Sequence, residues 1–438
     1  MKSMCKLLLL VVSLVMLACS NDDNQPGLPY DQIPDKEYII DVELWEIPTD
    51  GTQALKTTDN LQAAIDWAIE EGYGIIRLPA GHYLVGKQVN DVFHGGITLH
   101  SNMAFVLDKN ALIEMEPNDK WNSSIIRILT KKYVVITGGK LQGDKDGHIY
   151  KPNESGGTAH DEGHLISVEM ESEYVTIENM ILKGATGDGI LLVAGGEEGS
   201  SVKHIDIINN NIYENRRQGV SIVGGTNITI ENNEIHHIKG TSPQFGVDIE
   251  SLDYLSENIV IRNNYFHHNY GGHIVNGDGK NVLIEKNKLE QGEGIKYTDG
   301  AIVIWESHGL NVRENEITSY VDNDIHLVFS AILMYAVNDR PLDKKTGKIS
   351  NNTINNSGIY MLEGVNIDIE NNICNNGFMN FYDTINLKLN NNEVSRSWGV
   401  CRRYAFENVT GEANENTLEG VMYDIPLSST PHSGDSCD

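Results

Sequence analysis

Asp248 and Glu250 stand two residues apart in the alternating run Phe245-Gly246-Val247-Asp248-Ile249-Glu250. In an extended strand such a pair projects from one face, with Cβ atoms about 7 Å apart. Two carboxyls at that reach suit acid/base work on a glycosidic bond. Repulsion keeps a proton on one, which protonates the leaving oxygen, while the other activates water. Asp188, in the turn Gly187-Asp188-Gly189, is a third catalytic candidate. Arg216, Arg217 and Gln218 are placed to hold sugar carboxylates or hydroxyls. Asp161, Glu162 and His273 complete the substrate-binding candidates, with Trp305, beside Asp299 and Glu306, as a stacking surface for a pyranose face. No residue is assigned to a metal. His160 and His164 bracket Asp161 and Glu162 with metal-like composition but are read as loop residues, and His236-His237 and His267-His268 as corner residues.

Residues so far apart in sequence meet only if the chain repeats. From about residue 133 it does. The stretches beginning at Tyr174, Asn227, Asn258, Asn281 and Asn366 share alternating Ile/Val followed by a polar, Asn-rich corner. Taking the second corner Asn as a ruler gives Asn179, Asn210, Asn233, Asn264, Asn287, Asn315, Asn352, Asn372 and Asn392, at steps from 20 to 37 residues. A minimum near 20 with variable excess describes a coil with one or two variable loops. Asn tolerates the left-handed backbone of a sharp corner, and Asn side chains at equivalent corners stack and hydrogen-bond in a ladder. One coil cannot bury its apolar face, but stacked coils can. The predicted fold is all-β: a single-stranded right-handed parallel β-helix with an N-terminal capping α-helix. A leucine-rich solenoid would show Leu at fixed places with a helical segment in each repeat, where this chain has Ile/Val and Asn.

The cap is read over 60–71, where Leu61, Ala64, Ile65, Ala68 and Ile69 share one helical face. Asp59 or Asn60 caps its start, and Gly72 or Gly74 ends it. Aligning later strands by their leading Gly (Gly163, Gly189, Gly219, Gly246, Gly271) predicts one outward column of Leu165, Leu191, Ser221, Asp248 and His273. A second holds Val193, Val223, Glu250 and Val275. Neighbouring coils lie about 4.8 Å apart. The loop at 240–245 lengthens the Asp248 coil and is placed to wall a cleft.

The run from Leu61 through Pro79-Ala80-Gly81-His82-Tyr83-Leu84-Val85, then Ile97-Thr98-Leu99-His100-Ser101-Asn102, resembles the entry segment of the pectate-lyase-like superfamily. That group includes polygalacturonases, pectate lyases, alginate C5-epimerases and phage tailspike hydrolases. The resemblance covers most of 57–400 and implies the β-helix and a polysaccharide substrate. The polygalacturonase signatures Asn-Thr-Asp, Asp-Asp and Gly-His-Gly are missing at the expected places. The run from Phe245 to Glu250 is similar to the alginate epimerase motif Tyr-Gly-Phe-Asp-Pro-His-Glu, with Phe for the Tyr and no His. The leading expectation is therefore a glycoside hydrolase that needs no cofactor. A lyase or C5-epimerase acting on a uronate polymer, with Ca²⁺ or Arg neutralising the substrate acid, is the second. A non-catalytic surface glycan binder is the third.

The first residues read as an export signal: Lys2 and Lys6, an apolar run from Leu7 to Leu17, then Met16-Leu17-Ala18-Cys19. This resembles a bacterial lipoprotein site, which implies lipidation of Cys19, an outer-membrane or cell-surface location, and membrane contact only through that anchor. The expected organisation is a signal peptide over 1–18, a tether over 19–36, the capped β-helix over 37–425 and a tail over 426–438. The chain has 33 Lys+Arg against 62 Asp+Glu, a net charge of −29. Such an excess repels phosphate backbones and excludes a nucleic-acid role. A monomer is expected. Cys374, Cys401 and Cys437 lie beyond the leader and Cys19, an odd number with no readable pairing.

Overall fold

The computed structural model describes residues 29–151, 161–197, 200–251, 254–295, 300–305, 307–320, 330–335, 345–395, 404–422, 427 and 432–434. The export signal, Cys19, His160, Asp299 and Glu306 lie outside the described residues.

Each coil contributes one short strand to each of three sheets, and each sheet runs the length of the stack with 14 strands among the described residues. Strands three apart in chain order pair in parallel, as with Val202–Ile208, Gly225–Glu231, Glu257–Arg262 and Lys280–Glu285 in the first sheet. Ile205, Ile228, Ile259 and Val282 stand in register there, and their side chains are buried in the interior. This is the parallel β-helix that the repeats predict. Antiparallel pairs close the third sheet at both ends: Lys87–Gln88 with Phe93–Thr98, and Tyr404–Glu407 with His432–Gly434. The latter strand belongs to the segment read as a tail.

The corner between the first and second sheets shows how the Asn pairs work. The first residue of each pair takes the left-handed conformation, with φ of 56° at Asn209 and Asn232 and 55° at Asn263. The second turns inward. Asn210 donates to Asn233 Oδ1 at 3.1 Å, Asn233 to Asn264 at 3.0 Å, and the ladder runs on through Asn287, Asn315, Asn352, Asn372 and Asn392 to Asn416. Asn179 is not a rung. It holds the left-handed position (φ 57°), and the rung beside Asn210 is Met180, whose N–H donates to Asn210 Oδ1 at 3.0 Å. The predicted series was off by one at that end.

The cap, α1 (Ala54–Glu70), starts a turn and a half before the predicted boundary. Asp59 and Asn60 therefore lie inside it and cap nothing; Gln53, at φ 54°, stands at the N-cap. Leu61, Ala64, Ile65 and Ala68 are fully buried against the first coils. Gly72, at φ 78°, ends the helix with its N–H on Ile69 O. No helix among the described residues is long and apolar enough to cross a membrane.

Candidate active site on the third sheet

The third sheet contains the strands Glu162–Glu169, Ile190–Val193, Val220–Val223, Phe245–Ile249, Gly272–Asn276 and Gly300–Ile304. Its register places Ser167, Leu191, Ser221, Asp248, Val275 and Val303 in one column. Leu191, Ser221 and Asp248 fall where expected. Leu165 and His273 do not, because the leading-Gly alignment is two residues off in the first and fifth strands. Leu165 is buried in the core. His273 continues the positions of Gly189, Gly219 and Gly246, where an added Cβ would meet Ile212, Ile235 and Phe266 in the interior. The ring is accordingly fully buried, packs 5.9 Å from Phe266 and accepts from Asn269 Nδ2 at 3.1 Å through Nδ1. Burial pushes its pKa down to about 3. His273 is a neutral interior residue, not a substrate contact.

The remaining charged candidates converge around Arg217. Its Nη1 donates to Asp188 Oδ2 at 3.1 Å and Oδ1 at 3.4 Å. Burial disfavours the guanidinium charge, but Asp188, Asp248, Glu162 and Asp161 more than offset it and raise its pKa. Asp188 is fully buried, and that burial raises its carboxyl pKa against the pull of Arg217 and His164. His164, which the sequence placed in a loop, lies on a strand and is buried; its Nδ1 accepts the Asp188 N–H at 3.4 Å, and its Nε2 lies 3.4 Å from Glu162 Oε2. That neighbour holds Glu162 below the ordinary carboxylate range.

Asp248 is 2 % exposed. Gln218, fully buried one coil back, donates from Nε2 to Asp248 Oδ2. Asp248 Oδ1 has no hydrogen-bond partner. Burial, then the charge of Glu250, lift the Asp248 pKa well above its ordinary value, and the opposing pull of Arg217 does not cancel this. Burial and one unpaired oxygen both favour the protonated form of this carboxyl. Glu250, on the same face two residues on, is only half-buried.

Beyond Glu250 the second column continues to Gly277, Trp305 and Tyr335, whose N–H groups bond to Ile249 O, Asn276 O and Ile304 O in turn. Val275 was expected beside Glu250 and belongs instead to the Asp248 column. Gly277 has no side chain between them: a Cβ there would sit 2.9 Å from Ile249 O, 3.5 Å from Trp305 Cε3 and 3.9 Å from Glu250 Cα. Trp305 and Glu250 therefore flank Gly277. Its Nε1 donates to Tyr335 Oη at 2.7 Å, and it rests on an outward apolar group of Phe245, Val275 and Val303. The sequence singled out Trp305 but missed this bed. Its signal was Val275 and Val303 at outward positions where polar residues would stand if water covered them.

Arg216 departs from its predicted role. It is 6 % exposed, donates to Thr186 O at 3.2 Å and stacks 4.4 Å over Tyr150. Arg217 is the arginine that donates to Asp188. Asp161 is half-buried and enters only through its charge on Arg217.

The fold defined by these coils is the right-handed parallel β-helix. A family model described as "Right handed beta helix region" matches residues 197–332. The chain is 29% identical over 269 residues to the uncharacterized protein YclG of Bacillus subtilis (strain 168); the match takes in 57% of this chain and 45% of that protein. The chain thus spans about half the length of that relative. Among solved structures it superposes on the mannuronan C-5 epimerase AlgE6 A-module of Azotobacter vinelandii with a TM-score of 0.62 and 16% identity, covering 88% of this chain and 99% of the other. The surface adhesin PfbA of Streptococcus pneumoniae gives a TM-score of 0.55 and 17% identity, covering 87% and 91%. At these identities the superpositions establish the shared fold.

Proposed function

We propose that this protein hydrolyses glycosidic bonds of an extracellular polysaccharide on the outer face of its third sheet. The observation that carries the reading is the unlike pair: Asp248 buried with a raised pKa, and Glu250 half-buried beside it. Asp248 supplies the proton to the leaving oxygen and Glu250 activates water. Because Asp248 is 2 % exposed, a glycosidic oxygen reaches Oδ1 only when neighbouring side chains move aside, whereas Glu250 is reached directly. Trp305 offers its face to a sugar beside Gly277, and Arg217 keeps the acids assembled.

Hydrolysis is favoured over elimination or epimerisation by the state of Arg217. Its charge is taken up by its ion pair with Asp188 and by the nearby Glu162 and Asp161, which compete with a uronate carboxylate for it unless Ca²⁺ is added. The epimerase and the adhesin among the similar folds keep carbohydrate chemistry and plain surface binding in view as competitors. The export signal and Cys19 support a lipid-anchored surface location for the work.

The test is a polysaccharide panel incubated with the chain from residue 20 onward, scored for new reducing ends and for the ultraviolet band of unsaturated uronates. Reducing ends without that band, lost in Asp248→Asn and in Glu250→Gln while binding persists, support hydrolysis. The band would mean a lyase. Binding with no product from any glycan would leave a binder.

A further inference from the structure

At the corner between the second and third sheets, two neighbouring coils each carry a His-His pair. His236 and His267 end strands in register, and their rings stack 4.5 Å apart at 8°. His237 and His268 follow in the left-handed conformation, φ 55° and 54°, and stack 4.8 Å apart at 4°. Within each pair the rings are close to perpendicular, 81° and 88°. Their Nδ1 atoms face each other at 2.6 Å in the first pair and 2.8 Å in the second.

The outer nitrogens fix the tautomers. His236 Nε2 lies 3.0 Å from Asn211 Oδ1, and His267 Nε2 lies 3.1 Å from Glu234 Oε1. Amide and carboxylate oxygens accept only, so the ring protons of His236 and His267 sit on Nε2 and their Nδ1 atoms present lone pairs. Each Nδ1–Nδ1 contact is then bridged either by the Nδ1 proton of a neutral His237 or His268, or by a metal ion that takes its place. An imidazole anchored by an acceptor on its far nitrogen is also how metal-ligating histidines are oriented.

Ring stacking alone does not account for this. Tyr133, Tyr174 and His204 form a stacked column elsewhere on the surface without facing nitrogens. We propose that this corner binds a divalent transition-metal ion of the cupric type, with ring nitrogens of His236, His237 and His267 as ligands. Ligand atoms of these three lie within 4.8 Å of one another. With metal–nitrogen bonds of about 2.1 Å, cis positions of a square plane lie about 3.0 Å apart and tetrahedral positions about 3.4 Å, so the short contacts suit Cu²⁺ or Ni²⁺ better than Zn²⁺. The ion would pin two adjacent corners that lead into the Phe245–Ile249 and Gly272–Asn276 strands.

The test is calorimetric titration of the metal-stripped full chain, made without a polyhistidine tag, with Cu²⁺, followed by electron paramagnetic resonance. One equivalent per chain with nitrogen hyperfine structure is expected. Affinity should fall at least tenfold in His237→Asn, where Asn tolerates the left-handed backbone, and stoichiometric binding should vanish in the His236→Ala/His267→Ala double variant. If the double variant does not fold, His237→Asn decides. No stoichiometric uptake by the wild-type chain would overturn the site. So would a His237→Asn variant with unchanged affinity and spectrum, which would assign the ion to the acidic surface.

Discussion

Gln218 holds Asp248 and Phe245 at once: its Nε2 donates to Asp248 Oδ2, and its Oε1 accepts the Phe245 N–H at 2.7 Å. One carboxamide thereby ties a reactive carboxyl to the backbone of its own strand across a coil boundary. Replacing it with Leu leaves a buried N–H and a buried carboxyl oxygen without partners, each costing about 1–3 kcal/mol. Gln218→Leu should lower the urea midpoint with an unchanged slope and reduce turnover. A variant as stable and as active as wild type would remove Gln218 from the site.

Asp248→Asn should separate activity from stability. A raised carboxyl pKa means that the folded chain binds a proton the unfolded chain has released, so the contribution of Asp248 to stability falls as pH rises through and above its unfolded value of about 3.9. Asn carries no such burden. The stability of Asp248→Asn relative to wild type should therefore grow with pH above about 4, measured by urea unfolding across pH. Turnover should drop by about 10²-fold or more. A constant stability difference across pH would mean that Asp248 is an ordinary carboxylate.

His273 makes the opposite prediction. Its folded pKa is depressed to about 3, so the unfolded chain binds the proton first, and stability contributed by the neutral ring is lost as pH falls from about 6.5 toward 3. His273→Gln should flatten that acid limb while leaving turnover near wild type at neutral pH, provided the variant folds. A large loss of turnover in a folded His273→Gln chain would return this residue to the wall.

Trp305→Ala should raise KM far more than it lowers kcat, because Trp305 offers a binding face and no proton. Steady-state kinetics on the substrate found by the panel provide the check.

The solenoid was legible because its signals are local and repeated: alternating Ile/Val, then a left-handed Asn, then a ladder Asn. The gathering of Asp161, Glu162, Asp188, Arg217, Asp248 and Glu250 was legible for the same reason, since residues at equivalent corners must stack. What failed was exact register at irregular coils. The Gly271-Gly272 doublet hides which Gly starts the strand, so His273 was set two positions out. Side-chain depth was not legible either: neighbours Arg216 and Arg217 look alike in sequence, and only the loop carrying Tyr150 decides that the first is covered. Asn60 resembled a helix cap, but the buried Thr57 and Thr58 extend the helix past it.

Asn287 lies mid-ladder, donating to Ile261 O at 2.8 Å and Asn315 Oδ1 at 3.0 Å, and accepting from Asn264 N and Nδ2, both at 3.0 Å. Asn287→Ala should cost about 3 kcal/mol, read as a lower urea midpoint, because buried backbone groups on both sides lose partners.

The rungs also make the frame indifferent to what hangs from it. Asn315 reaches Asn352, 37 positions on, at 3.0 Å, and Asn372 reaches Asn392, 20 positions on, at the same distance. Segments added between rungs leave the pitch untouched. Loops between corners can thus be lengthened, trimmed or exchanged while Asp248 and Glu250 keep their places on the third sheet, so the surroundings of the carboxyls can change without rebuilding the spine.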